Sequence, residues 1–512
     1  MKKIAVFALA AITAIGAAAQ KDVMKRIEEI GKNENRSMEL MKTLTGRFGG
    51  RPIGSNAYDN ARDWAASLLK EWGYDVKYEK AGELSVGFNR DHWQGRMYGD
   101  ENEVLHFITP SYTVGTNGAA RGHVLAEPRT TQEFNNIKSR LKGAWVLVDG
   151  ESGGWAILHN DTIAKQRKAI IARNDSLAQI NGRKSPDQIP DNLKPDMTTP
   201  GLFYDEMVEA GVLGFIQSAP VPLRGLYDRD VVKGNLDFNH LPAVPDIKLD
   251  EDQFARIKKY VKQRKNIILE FDIRNHFRMG PVPYHNVVAT LKGSKKPDEY
   301  VIMGAHLDAY DVATGATDDG TGTIGLLEAA RILSEAGAKP DRTIIFILFA
   351  GEEFGLLGSE AWVNQHPDLL PKISNMFNRD GAPFPYVAFS APKSMTKEFE
   401  PVAESMRRAY PDFDFVIEEY TPKATPTKTG GHDGTTFQVR GIPQLNMNEW
   451  NDVHGHDFSY WEIWHTERDG MARAIPEYQE QAATALALML LQTANASKPF
   501  PRNEVYTDAP SK

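Results

Sequence analysis

An apolar run in the second half of the chain, IIFILFA (344–350), stops at one glycine and then delivers two carboxylates, Glu352 and Glu353. The pattern around it is regular. HNVVATLKG (285–293) and EYVIMGAHLD (299–308) are further strand-like runs. TIGLLEAARILSEAG (323–337) has apolar residues at i, i+3, i+4 and i+7, the period of a helix. Strand, helix, strand with continuously apolar strands predicts a sheet covered on both faces. YQEQAATALALMLLQTA (478–494) reads as a final packing helix, and the tail after Pro499 as a disordered end.

Upstream, residues 22–48 alternate charged and apolar positions at helical spacing. GGRPIGS (49–55) is a loop by its glycines and proline, and ARDWAASLLKEWG (61–73) an amphipathic helix ending at Gly73. YDVKYEK (74–80) suggests a short strand. The texture changes from about residue 113 to 272. This stretch holds the strand-like AWVLVDG (144–150), a long polar excursion (151–200) and AGVLGFIQSA (210–219), with few residues poised for chemistry. The expected fold class is therefore α/β. A mixed-sheet α/β/α domain is assembled from residues 20–112 and 273–500, with a β-rich insert at 113–272 and a tail at 501–512.

The opening, MKKIAVFALAAITAIGAAAQ, has two lysines, an apolar stretch and a small-residue exit. It reads as a secretory signal, residues 1–19, cut before Gln20, and implies a periplasmic or secreted protein. No later stretch is long and apolar enough to cross a bilayer, so no membrane span is expected in the mature chain. With no cysteine among 512 residues, disulfides, thiolate metal sites and cysteine nucleophiles are excluded. The formal charge of −8 becomes −10 when the signal takes away its two lysines, which gives no support to nucleic-acid binding.

Ligands of open α/β sheets sit beyond the carboxyl ends of the strands. Glu352 and Glu353 stand there, with side chains pointing in different directions, so one can bind a metal while the other faces a substrate water. His306 and Asp308 stand past the end of the preceding strand. GATDDGTGT (315–323) places Asp318 and Asp319 among glycines before a helix. Alone, that motif favours an N-cap over a ligand. ISNMFNRDG (373–381) ends in Asp380, and YWEIWHTERDGM (460–471) holds His465 among Tyr460, Trp461 and Trp464, rings that either wall a pocket or simply pack. Together His306, Asp318, Glu353, Asp380 and His465 form a nitrogen and oxygen donor set that suits zinc in a catalytic site. Five ligands with one bridging carboxylate suit two metals about 3.5–4 Å apart. Glu352 is left without a metal, as a general base must be. His454 and His456 in VHGHD are an alternative pair.

The ordered set His306-Leu307-Asp308, Asp318-Asp319-Gly320-Thr321-Gly322, Glu352-Glu353, Asp380, and His465-Thr466 with Asp469 resembles the co-catalytic zinc exopeptidases of the bacterial leucyl aminopeptidase, aminopeptidase Y and plasma glutamate carboxypeptidase type. RPIGS and GHDGTTFQVRGIP (431–443) add to the likeness. "KGAWVLVDG" and "EAGVLGFI" make the insert similar to a protease-associated domain. The resemblance implies two zinc ions, one on Asp318, Glu353 and His465, the other on His306, Asp318 and Asp380. It also implies a cis peptide between Asp318 and Asp319, Glu352 as general base, and Asp308 orienting His306. Gly431-His432-Asp433-Gly434 stands where many relatives have Ser-Asp-His. Peptide substrates are implied. Aminopeptidase action is the first expectation, and carboxypeptidase or dipeptidase action the second. Arg379 and Arg468 flank site positions as possible partners for a substrate carboxylate. A single-zinc glutaminyl cyclase and a non-enzymatic receptor share the fold, but the complete ligand set and the retained base argue against both. The insert either restricts access or supports a homodimer.

Overall fold

The computed structural model describes residues 21–182, 188–381, 383–450, 454–455 and 459–509. The expected signal at 1–19 lies outside the described residues. Two strands of 24 residues each, Asp75–Tyr98 and Ile268–Leu291, run antiparallel along almost their whole length. One end of this ribbon sits in the main core, through Tyr284, Val287 and Ala289. The other sits in a second core, where Leu269, Phe271 and Ile273 meet Trp145, Ile216 and Ile247. Register shifts between Lys80/Gly82, Leu84/Val86 and Arg90/Trp93 interrupt the pairing along the way. Such bulges bend and twist a ribbon.

The ribbon joins two halves of one 11-stranded mixed sheet. On the site side the order is Ile373–Asn378, Lys296–His306, Arg342–Phe349, then Ile268–Leu291. The first three are parallel and the fourth antiparallel to its neighbour. Every residue of Arg342–Phe349 is buried. Ile344, Phe346 and Leu348 face a core shared with the helices Gly320–Glu335 and Pro476–Asn495. Ile345, Ile347 and Phe349 face another, with Trp362, Val363 and Phe437. A strand covered on both faces has no polar side to show, which explains the unbroken apolar run and bears out the expected α/β class.

Several expectations need correction. The short strand at 74–80 is only the start of Asp75–Tyr98. Much of that strand is half-exposed, so its apolar signal is weak. The polar excursion contains a helix of 21 residues, Asp161–Asn181, capped by Asn160, whose side chain accepts from Ile163 N at 2.9 Å. Few of its side chains are buried, and three of those, Arg167, Asn174 and Asn181, are polar, which hid the helical period. The insert is not β-rich. Its parallel strands Ala120–Ala126, Ala144–Glu151, Gly214–Ala219 and Asp246–Asp250 are interleaved with helices, Glu251–Lys262 following the last. The expected boundary at 112/113 falls inside this unit, since Met97, Leu105 and Phe107 already pack in its core. Nor are residues 501–509 a loose end: Val505 and Tyr506 are buried, and the Tyr506 hydroxyl donates to Ile442 O at 2.6 Å. Among the described residues no helix is long and apolar enough to cross a membrane.

Phe346 is fully buried and meets Tyr74 edge-on at 5.4 Å. Phe346→Ala is expected to lower stability by about 3–5 kcal/mol in urea unfolding. A loss under about 1 kcal/mol would show that this strand is not the packed centre of the domain.

Candidate active site

His306, Glu352 and Glu353 lie at or just past the ends of buried strands, where hydrogen bonds involving backbone groups hold them. His306 ends its strand. Its carbonyl accepts from Thr323 Oγ1 at 2.8 Å, and its N–H donates to Asp319 at 3.1 Å. The ring Nδ1 lies 2.9 Å from the backbone carbonyl of Asp308. That contact selects the tautomer with Nδ1–H and leaves the Nε2 lone pair free for a cation.

The Asp308 carboxylate has a different task from the one expected. It accepts the backbone N–H groups of Gly351, Glu352 and Glu353, at 2.8, 3.1 and 3.3 Å. Its oxygen is 3.7 Å from the His306 ring, so the histidine is oriented by the Asp308 backbone, while the side chain pins the turn that carries the two glutamates. Gly351 opens that turn with φ of +72°, a conformation cheap only for glycine.

The two aspartates of the 315–323 loop divide the roles that the sequence left open. Asp319 is the cap, accepting from Gly322 N at 2.9 Å. Asp318 is free to turn inward, and the peptide between them is cis. Asp469 accepts Thr317 N at 2.6 Å and Asp318 N at 3.1 Å. Arg51, from the RPIGS loop, is fully buried and donates to Leu307 O at 2.5 Å, Thr314 O at 3.0 Å and Gly315 O at 3.1 Å. In the sequence, this segment and Asp469 carry only the family likeness, with no role of their own. A charged residue next to proline in a glycine-rich loop was the one signal available for Arg51.

These supports bring all five expected donors together. His306 Nε2 is 3.2 Å from Asp318 Oδ1 and 3.6 Å from Asp380 Oδ1. His465 Nε2 is 3.2 Å from Asp318 Oδ2 and 3.1 Å from Glu353 Oε2. Asp318 thus turns one oxygen to each histidine. Two three-residue sets result, each with donor atoms within 4.8 Å of one another, and Asp318 is common to both. Glu353 Oε1 is buried with no hydrogen-bond partner, an unfilled donor that fits a divalent cation. The residues therefore fit zinc.

Electrostatics point the same way. Despite its burial, His306 and His465 hold Asp318 well below the usual carboxylate range. Burial pushes Glu353 up to about 7. Against the cost of burial, Glu353 and Asp318 raise His465 to about 9. Glu352 belongs to neither set. Burial, then the Asp380 charge, push its carboxyl well above the ordinary value. Glu352 lines a cavity of about 290 Å³ with Asp318, Glu353, Asp380 and His465.

Residues 286–491 match the family described as Peptidase family M28. The matched stretch holds His306, Asp318, Glu352, Glu353, Asp380 and His465. Carboxypeptidase Q of Xenopus laevis is 21% identical over 501 residues, covering 94% of this chain and 91% of that protein. Carboxypeptidase Q of Mus musculus is 22% identical over 505 residues, with the same coverage. In fold, the chain is similar to the crystal structure of a peptidase M28 precursor from Shewanella amazonensis SB2B, with a TM-score of 0.56 at 21% identity, covering 94% of this chain and 98% of that one. The co-catalytic zinc exopeptidase resemblance is thereby upheld, and the chain is a metallo-exopeptidase.

Around this site, Trp464 stacks on His465 at 3.9 Å, and Tyr310 packs on it at 4.4 Å. Trp461 is 66% exposed, so it is not a packed ring. His465 itself has φ of +59°, a strained left-handed backbone for a non-glycine residue. His454 is not part of the site: it pairs with Glu477 at 3.0 Å, and His456 lies outside the described residues. Arg379 is buried and donates to Phe384 O, while Arg468 faces Glu462 at 3.9 Å. Neither lines the cavity.

Asp469→Ala would leave two buried N–H groups without an acceptor, at roughly 1–3 kcal/mol each. We expect a lower melting temperature in chelator-treated protein and reduced metal retention, with Asp469→Asn milder. Unchanged melting and full metal content in Asp469→Ala would show that Asp469 does not hold the Asp318 loop.

Proposed function

We propose that this chain is an exported exopeptidase that carries two zinc ions and releases N-terminal residues from peptides. The observation that carries the reading is the division of Asp318 between His306 and His465, with Glu352 left outside both donor sets. One ion would rest on Asp318, Glu353 and His465, the other on His306, Asp318 and Asp380. Bound there, zinc supplies Lewis acidity, which polarises a carbonyl oxygen and makes water a stronger acid.

The chain's own residues do the rest. Glu352 accepts a proton from the attacking water and passes it to the departing amine, which returns the carboxylate to its starting state. Burial, and after it the neighbouring negative charges, raise its pKa, which makes it a better base than a free glutamate. Asp308, by holding the N–H groups of residues 351–353, keeps Glu352 and Glu353 apart in role. The carboxylates of Glu353 and Asp380 suit a substrate's free ammonium group, which supports aminopeptidase action. The second reading, carboxypeptidase or dipeptidase action, is favoured by the name of the relatives that align along 94% of the chain. Export rests on the N-terminal signal pattern.

Glu352→Gln is expected to lower kcat by about 10²–10⁴-fold while metal content stays at the wild-type level. Near-normal turnover would rule out Glu352 as the base. His465→Ala should lower the zinc bound per chain by about half, read by atomic absorption. To decide direction, leucyl-glycine and its N-acetyl derivative are compared on the zinc-loaded wild type. Cleavage of the free dipeptide alone supports a need for the amine, and equal cleavage of the acetylated one favours the carboxypeptidase reading.

A further inference from the structure

The cavity beside the two donor sets has a cationic wall that comes from the insert. Asp318, Glu352, Glu353 and Asp380 line one part of it. Arg229 lines another, and it is the only lysine or arginine among the described lining residues. The segment that presents it is rigidly seated. Tyr227, two residues earlier, is buried, stacks on Phe354 at 4.1 Å and packs on Tyr310 at 4.9 Å, the ring that in turn packs on His465. Arg229 lies over Gly355, with Nη1 3.7 Å from where a Cβ would stand there, two residues beyond Glu353. Its side chain is exposed, and among the described residues no carboxylate pairs with it: Glu352 and Glu353 act on it only through space.

We propose that Arg229 receives the free α-carboxylate of a short peptide, dipeptides above all, whose ammonium end faces Glu353 and Asp380. The inference rests on the exopeptidase reading and names its substrate class. Three physical points favour it. A guanidinium binds carboxylate in a two-pronged geometry, and an unpaired one at a cavity wall is available for it. Among the described lining residues, Arg229 alone offers a lysine or arginine cation to that carboxylate. At about 290 Å³ the cavity is at the small end of ligand sites, so both charged ends of a short peptide must be met within it.

The test compares leucyl-glycine with leucyl-glycinamide on the full-length, zinc-loaded chain. Wild type is expected to favour the free acid in kcat/KM by roughly 10–100-fold, as charge-assisted hydrogen bonds to a carboxylate predict. Arg229→Met should bring that ratio to within about two-fold, chiefly by raising KM for the acid, while Arg229→Lys restores part of it. Calorimetry of the same two ligands on Glu352→Gln, with and without Arg229→Met, reads the preference without turnover. If wild type cleaves both ligands and Arg229→Met changes them equally, Arg229 merely screens the carboxylates and the inference is overturned. A wild-type ratio near one also overturns it. If wild type cleaves neither ligand while the binding preference still collapses in Arg229→Met, the exopeptidase reading fails and the carboxylate contact stands. If neither ligand binds, both fall.

Discussion

The site depends on one carboxylate held where it cannot turn. Asp318 must point one oxygen at His306 and the other at His465, 3.2 Å in each case. Its own backbone N–H is tied to Asp469, the next residue is spent capping a helix, and Arg51 cross-links the strand end at Leu307 to the loop at 314–315. None of these supports touches the cavity directly. They convert a glycine-rich loop, which would otherwise sample many conformations, into a fixed donor. Preorganisation of this kind comes from second-layer hydrogen bonds rather than from the ligands themselves.

That arrangement carries a cost. Four carboxylates gathered at one cavity repel each other, and burying them removes the water that would screen them. The response is visible in how the protons are distributed: Asp318, between two histidines, is held low, while Glu353 rises to about 7 and Glu352 higher than usual. Divalent cations offset both the repulsion and the lost hydration. The crowding is therefore a stability liability that cation binding turns into affinity.

Most of the expected donors stood out beside a periodic signal, Glu353 after one apolar run, His306 after another and Asp318 before an apolar helix, whereas His465, set among aromatic residues, stood out only by the company of the others. The supports were less visible. The Asp308 carboxylate serves three backbone N–H groups, a partnership that only folding creates. Arg51 is more than 250 positions from Leu307 and Thr314, so no local pattern announces their contact. The 21-residue helix in the insert was lost because its buried positions are largely polar, and most of the ribbon's first strand because few of its residues are buried.

The insert is also more closely tied to the chemistry than its position in the sequence suggests. Backbone bridging between Arg224 and Thr466, with Glu467 N donating to Leu223 O at 2.9 Å, grips the segment that carries His465. The Glu467 side chain returns to Leu223 N at 3.1 Å and to His106 at 2.7 Å. His465 sits in a left-handed conformation that costs on the order of 1–3 kcal/mol and persists only where surrounding structure enforces it. The residues that enforce it, 223–224 and 106, lie in the second unit, and the same stretch continues through Tyr227 to Arg229 at the cavity wall. Placement of His465 and the shape of the cavity are thus set by one chain segment. The two units cannot drift apart without losing both.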